Sequence, residues 1–509
     1  MMRSTHLLEQ SIHGDYTGRY RPQVHFSPPK GFMNDPNGLF VDKHGIWHLY
    51  YQYNPTELVA GNQHWGHATS RDLYHWANQP IALFPPDERT GVFSGSAVID
   101  AKNTSGFFPD QDDGVVAIYT LNTPENQVQA IAYSRDGGYT FTPYEGNPVI
   151  DIQSNQFRDP KVVWYEDHWV MVIAHSTEFK IGIYTSRDLK TWSPSSSVSY
   201  LGILGLQYEC PNLVPIPVKA NGSSTGEQVW TLFISINPGA PLGGATMLYF
   251  PGDFDGYSFV PHDSAARLAD FAKDNYAAQF FDGTAPGEAV SIAWANNWQY
   301  TNVLPTANEG WRSIMSLPRK NFLTRLERTG WALVSEPYDL SPILNSRLSH
   351  DTDFVNKTTD VDFSSAGSGA IYFSIKLPDS QARYGDEAAF SFAVSAPSSK
   401  ESVKGGYMFG GPNAGHAWLD RGNTKGFGSD NPFWNDRFSV AQVSAARSIW
   451  GVIDRSVLEL FIDDGAYSAT MLFFSEEPLT LLRIGTEGMP EGTSIELEVH
   501  DLHSVWRNS

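Results

Sequence analysis

Three carboxylic acids in this 509-residue chain stand in contexts that ordinary surface acids lack. Asp35 lies in Phe32-Met33-Asn34-Asp35-Pro36-Asn37-Gly38, Asp159 in Phe157-Arg158-Asp159-Pro160, and Glu209 in Gln207-Tyr208-Glu209-Cys210-Pro211. A following proline pushes an acid toward extended backbone, and Asn-Gly is a strong tight-turn pair. Asp35 is therefore expected at a strand end, its carboxylate aimed by a turn. Arg158 would hold its neighbour Asp159 ionised, while Glu209, between Tyr208 and Cys210, would be partly desolvated and shifted toward a general acid. Taken singly, Asp35 could simply open a hairpin, and Asp159 could belong to a surface ion pair. Cys210 has no evident activating partner and reads as a packing residue rather than a nucleophile. Taken together, the acids suit glycoside hydrolysis with retention, in which a carboxylate nucleophile and a protonated carboxyl stand about 5–5.5 Å apart.

Short strands must bring these acids together, because nearly every readable segment is one. Segments 48–53, 115–119, 169–173 and 231–236 are aromatic and β-branched, bounded by Gly, Pro, Asn and Asp. Ser70-Arg71-Asp72 leads to Trp76, Ser134-Arg135-Asp136 to Phe141 and Ser186-Arg187-Asp188 to Trp192, with a looser copy from Gly252 to Phe259. Spacings of roughly 50–65 residues suit one propeller blade with insertions, and predict about five blades. Inner strands of a propeller converge on its axis, so acids on different blades can share one cavity. Past Leu340-Ser341-Pro342 the aromatic signature fades, and alternating strands at 370–375 and 457–462 with an Asp463-Asp464-Gly465 turn predict an antiparallel β-sandwich. The expected fold is all-β: an N-terminal extension (1–21), a five-bladed β-propeller catalytic domain (22–335), a linker (336–350) and a β-sandwich domain (351–509).

Composition narrows the partners. A net charge of −21 argues against nucleic acid and anionic membranes, and no apolar run approaches a membrane span. Cys210 is the only cysteine, which excludes an internal disulfide and a cysteine-rich zinc site. With a start, Met1 to Gln10, that lacks a continuous apolar stretch, this predicts a cytoplasmic protein, or a secreted one if a leader is missing. Glycosylation-type triplets at Asn103, Asn221 and Asn356 weigh little against that expectation.

Met33-Asn34-Asp35-Pro36-Asn37-Gly38, Phe93-Ser94-Gly95-Ser96, Phe157-Arg158-Asp159-Pro160 and Glu209-Cys210-Pro211, in this order, resemble the signatures of glycoside hydrolase family 32, the family of invertases, inulinases, levanases and fructosyltransferases. The resemblance runs from His25 through Trp311-Arg312-Ser313-Ile314-Met315-Ser316-Leu317-Pro318-Arg319. Ser235-Ile236-Asn237-Pro238-Gly239-Ala240-Pro241 looks like the yeast invertase branch, and the sandwich matches through Asp454-x-Ser456-x-x-Glu459 and Phe461. The resemblance implies a retaining two-step mechanism on sucrose and short fructooligosaccharides, with Asp35 as nucleophile, Glu209 as acid/base and Asp159 as transition-state stabiliser. It places Asn34, Gln52, Phe93, Ser94, Arg158, Asn237 and Trp298 around the fructosyl unit, implies no metal or organic cofactor, and leaves a homodimer open.

Two positions depart from the pattern. Phe32 stands where many members carry tryptophan, and Ala60 where members usually place a tryptophan that lines the fructose pocket. Losing that indole removes contact worth about 1–3 kcal/mol unless another group fills the gap. Transfructosylation is then expected beside hydrolysis, unless Phe32 compensates. The alternatives are a sucrose fructosyltransferase, a fructan exo-hydrolase, a five-bladed hydrolase acting on arabinan or xylan, and a non-catalytic fructoside binder or propeller scaffold. Sucrose is the preferred donor on the argument that an intracellular enzyme does not meet polymeric inulin or levan.

Overall fold

Alternating aromatic and β-branched residues form strands whose two faces can both be buried against neighbouring sheets, and the chain is built almost entirely from them. The structure, a computed structural model, describes residues 12–506 apart from 203, 221, 327–328, 378–383, 413, 429 and 443–445. Residues 1–11 of the expected N-terminal extension and the triplet at Asn221 lie outside the described residues. Among those described, the helices are three short 3-10 turns, and no helix is long and apolar enough to cross a membrane.

The first part is a five-bladed β-propeller. Its blades, from inner to outer strand, begin with blade 1: Gly31–Val41, Trp47–Asn54, His64–Ser70 and Trp76–Leu83. Blade 2 is Gly91–Ile99, Val115–Asn122, Gln127–Ser134 and Thr142–Pro143, and blade 3 is Phe157–Tyr165, His168–His175, Lys180–Ser186 and Ser193–Ser199. Blade 4 is Tyr208–Ala220, Ser223–Ile236, Thr246–Phe254 and Phe259–Pro261. Blade 5 is Tyr276–Phe280, Val290–Ala295, Arg319–Leu326 and Gly330–Pro337. The inner strands pack side by side around the axis in chain order, the fifth returning to the first. The Ser-Arg-Asp repeat is the turn between third and fourth strands: Asp72, Asp136 and Asp188 each accept backbone N–H bonds from the residues that follow, as Asp255 does in the looser copy. Blade 5 has no such turn in its sequence, which is why the repeat stopped at four copies.

The second part is a sandwich of two six-stranded antiparallel sheets, beginning at Leu344–Asp351 and ending at Glu496–Leu502. Its core is one continuous apolar cluster that includes Phe373, Phe390, Phe392, Leu458, Leu460, Leu482 and Val499.

A charged seam joins the two parts. The Asp454 carboxylate accepts the backbone N–H groups of Gln23 (2.6 Å), Val24 (2.8 Å) and His25 (3.1 Å), and Ser456 donates to the Tyr20 carbonyl at 2.6 Å. Glu459 accepts from Leu317 N and from Arg319, both at 2.6 Å, and stands 3.3 Å from His25 Nε2. Arg421 of the sandwich pairs with Asp274 of the propeller at 2.8 Å, both fully buried. The sandwich residues Asp454, Ser456 and Glu459 thus clamp it to the propeller together with Arg421.

Candidate active site

Each inner strand carries the same local irregularity at the same level of the axis: two residues stand where the neighbouring strand offers one. The pairs are Asn34-Asp35 against Gln52, Phe93-Ser94 against Thr120, and Asp159-Pro160 against Ile173. Blades 4 and 5 repeat it with Cys210-Pro211 against Ile234 and Ala277-Ala278 against Ala293. Such bulges bend a strand and re-aim its side chains, and here they tip one residue from each blade toward a common point. The backbone accommodates this with left-handed φ values at Asp159 (65°), Cys210 (45°) and Ala277 (51°). The expected turn at Asn37-Gly38 is not formed. Both residues lie within the first inner strand, Gly38 in a second bulge where an added Cβ would meet Tyr50 at 2.8 Å and Trp65 at 2.9 Å. A bulge, not a strand-end turn, aims Asp35.

The result is a small pocket of about 110 Å³, lined by Asn34, Asp35, Gln52, Ala60, Gln63, Phe93, Ser94, Arg158, Asp159, Glu209, Tyr276 and Trp298. It is open on one side and has room for several ordered waters. Ten of these residues were singled out by sequence. Gln63 and Tyr276 were not. Two others fall elsewhere. Phe32 is buried behind the pocket with Cys210, Tyr276 and Trp294, its ring 6.4 Å from Trp298, so it does not fill the space at Ala60. Asn237 follows a blade 4 strand, its N–H donating to the Gln207 carbonyl at 3.4 Å, and is not part of the lining.

The polar pairing differs from the expectation drawn from neighbours in sequence. Arg158 pairs with Glu209 at 2.8 Å, not with the adjacent Asp159. Tyr276 donates its hydroxyl to the other Glu209 oxygen, so Glu209 is held by a cation and a phenol rather than set among apolar groups. Asp35 Oδ2 accepts from Ser94 at 2.7 Å and from the Cys210 thiol at 3.4 Å, while Oδ1 has no hydrogen-bond partner among the described residues. Asp159 Oδ2 accepts from Cys210 N at 3.0 Å and lies 3.5 Å from the same sulfur. Cys210 therefore stands between two carboxylates as a neutral thiol, its pKa pushed well up by burial and by the surrounding charges. Burial pushes Asp35 up to about 6, with the Ser94 bond opposing and the Glu209 charge adding. Burial pushes Asp159 up to about 7, with Arg158 opposing and the charges of Glu209 and Asp35 adding.

One or two residues past each bulge comes a second layer: Asn37, Ser96, Lys161, Asn212 and Gln279, all buried. Their bonds cross between blades. Ser96 donates to the Pro160 carbonyl (3.0 Å), Lys161 to Phe280 (2.6 Å), Asn212 to Ala278 (2.9 Å) and Gln279 to Gly95 (2.8 Å). This layer is a polar floor that closes the axis, so the pocket is blind.

Three convergent carboxylic acids in a blind pocket rimmed by amides and an indole define a glycoside hydrolase. Residues 25–337 match the glycosyl hydrolases family 32 N-terminal domain and residues 343–501 that family's C-terminal domain, and the chain belongs to this family. It is 42% identical over 509 aligned residues to an extracellular exo-inulinase of Meyerozyma guilliermondii, covering 95% of this chain and 94% of the relative. It is also 42% identical to invertase 2 of Saccharomyces cerevisiae, with 89% of each covered. A solved fructofuranosidase of Schwanniomyces occidentalis, complexed with fructose, superposes with a TM-score of 0.86 at 38% identity, covering 97% of this chain and 100% of that one. The extracellular relative overturns the expected cytoplasmic residence. With it goes the argument that kept polymeric fructans from the enzyme. The buried lone cysteine, taken as a sign of a reducing compartment, is accounted for by its place between Asp35 and Asp159.

Proposed function

We propose that this protein is a retaining β-fructofuranosidase of the invertase type, acting on terminal β-fructofuranosyl units of sucrose and short fructooligosaccharides. The observation that carries the reading is the convergence of Asp35, Asp159 and Glu209 on one small pocket at the propeller axis. The invertase and exo-inulinase names of its relatives, and the fructose bound in a similar structure, agree with it.

In this reading Asp35 attacks the anomeric carbon and forms a fructosyl ester, while Glu209 protonates the departing oxygen. Water activated by Glu209 then cleaves the ester. Arg158 and Tyr276 fix both Glu209 oxygens before substrate arrives. Asp159 makes no ion pair among the described residues, the nearby Arg158 charge only partly offsetting its burial, and its charge is met by the oxocarbenium character of the transition state. Ser94 orients Asp35. Product analysis on sucrose, kestose and inulin tests the reading, with Asp35→Ala as the blank. Equimolar glucose and fructose from sucrose is the expected result, and no release above the blank would refute it.

A second reading rests on Ala60, which lines the pocket with only a methyl group. An opening there admits a sugar acceptor in place of water. Release of glucose in excess of fructose at high sucrose, with trisaccharide accumulating, is the expected sign, and equal release at every concentration would sink it.

A further inference from the structure

The strand Tyr467–Leu472 is the last of its sheet in the sandwich, paired on one side with Val457–Ile462. A sheet edge presents unpaired N–H and C=O groups, and here the propeller covers it. Residues 270–275, which lead into the inner strand of blade 5, lie along that edge. Phe271 N donates to the Ser468 carbonyl at 2.9 Å and Asp274 N to the Thr470 carbonyl at 3.2 Å. In return Thr470 N donates to the Asp270 carboxylate and Leu472 N to that of Asp274, each at 2.9 Å. The residue that follows this strap is Tyr276, whose hydroxyl holds Glu209. We propose that the sandwich, through Arg421 and Asp274, positions Tyr276 against Glu209 and so sets the geometry in which Glu209 protonates the leaving oxygen. The proposal rests on the fructosidase reading above and gives the sandwich a part in it.

The first support is how the strap is held. Asp274 stands two residues before Tyr276 and is fully buried. Its Oδ2 accepts from Arg421 at 2.8 Å as well as from Leu472 N, and its Oδ1 accepts from the Tyr300 hydroxyl. Arg421 is itself fixed, donating to the carbonyls of Leu472 and Asn435 at 2.7 Å each and lying 3.4 Å over the Trp434 ring. Both oxygens of Asp274 therefore have rigid partners, one of them a buried cation that the sandwich supplies.

The second is the weakness of the alternative support. Tyr276 opens its strand, and the bulge at Ala277-Ala278 separates it from the regular ladder that resumes at Gln279. The backbone on the far side of a bulge constrains the near side less, so the placement of Tyr276 depends on what anchors the chain before it.

The third is that the same arrangement recurs at Trp298, the other pocket residue from blade 5. Asn297, next to it, donates to the Lys273 carbonyl at 2.9 Å, and Lys273 reaches across to the Phe433 carbonyl at 2.7 Å. Tyr300, two residues on, meets Trp434 edge-on with ring centroids 5.0 Å apart. Both blade 5 groups in the pocket thus lie within two residues of a sandwich contact.

The test compares kcat/KM on sucrose with kcat/KM on 4-nitrophenyl β-fructofuranoside, whose leaving group departs as an anion and needs no proton from Glu209. Both substrates carry the same fructosyl unit and meet the same folded molecules. Their ratio therefore reports the proton donor, not ring binding or the fraction folded. Tyr276→Phe is expected to lower the sucrose-to-nitrophenyl ratio about ten-fold, and Arg421→Met about three-fold or more. Tyr300→Phe keeps the Arg421–Asp274 pair, serves if Arg421→Met does not fold, and should shift the ratio the same way by about two-fold. Asp454→Asn, elsewhere in the seam, should lose stability with the ratio unchanged. An unchanged ratio in every Arg421 or Tyr300 variant that folds, or an equal shift in Asp454→Asn, would overturn the proposal and leave the fructosidase reading intact. Wild-type enzyme that cleaves neither substrate would overturn both.

Discussion

Two sets of buried acids lie in this molecule, one lining the propeller pocket and the other filling the seam between propeller and sandwich. In the seam, Glu459 has Arg319, protonated His25 and a backbone N–H around it, and these hold its pKa below the ordinary value against the pull of burial. His25, between Asp454 and Glu459, is raised to about 9. In the pocket, the one arginine is committed to Glu209, and burial prevails at Asp35 and Asp159. The same low-dielectric interior therefore holds Glu459 ionised, where two cations and an N–H surround it, and resists ionisation at Asp35 and Asp159. The difference teaches where the cation comes from. The fold supplies it in the seam, whereas in the pocket the transition state brings it, so charge complementarity is reserved for the moment of reaction.

The largest effect that would test this contrast is on turnover. Asp35→Asn is expected to lower kcat on sucrose by about 10⁴-fold or more, since no other group can form the ester. Asp159→Asn, which leaves the nucleophile in place, is expected to cost about 10²–10³-fold in kcat with little change in KM, as loss of a group acting in the transition state should. The seam should respond in the opposite sense. Glu459→Gln is expected to lose about 3–5 kcal/mol of stability in denaturant titration, because Arg319 and His25 are left underpaired, while kcat per folded molecule stays unchanged. The smallest effect is the pH dependence of the seam. His25 is raised in the fold, so its stabilisation is complete below about pH 6.5 and is lost as pH rises through about 9. Glu459 is lowered, so its contribution is present above about pH 4.5 and is lost as pH falls through its folded value. Thermal melts of His25→Gln should lack the alkaline fall that wild type shows between pH 7 and 10.

Much of the propeller and of its site was legible in the sequence, and the reasons are local. Asp35 and Asp159 immediately precede prolines and Glu209 stands two residues before one, each in or next to a bulge at the axis, and Ser-Arg-Asp marks an outer turn whose aspartate satisfies nearby N–H groups. What could not be read was pairing across blades. Arg158 is adjacent to Asp159 in sequence but reaches Glu209 on the next blade. Tyr276 comes from the inner strand of blade 5, which carries no motif; the available signal was geometric, since a fifth inner strand must also reach the axis. Asn37-Gly38 read as a hairpin turn because glycine there serves close packing on Tyr50 and Trp65, a tertiary demand that local turn chemistry does not reveal. Likewise Asp454 and Glu459 were visible as residues, but their role depends on Gln23, Val24, His25, Leu317 and Arg319, far away in the chain.

The central claim is that the fold gives Asp35 and Asp159 no ion-pair partner of their own, and the pH dependence of stability tests it most directly. Asp35 has a folded pKa of about 6 against an ordinary value of 3.8, so ionising it costs nothing below pH 3.8 and progressively more up to about pH 6. Melting Asp35→Asn against wild type from pH 4 to 8 should show the variant gaining relative stability across that interval. The gain should level off above pH 6 at about 1–3 kcal/mol. A difference that is flat with pH, or one that turns against the variant as pH rises, would contradict the account.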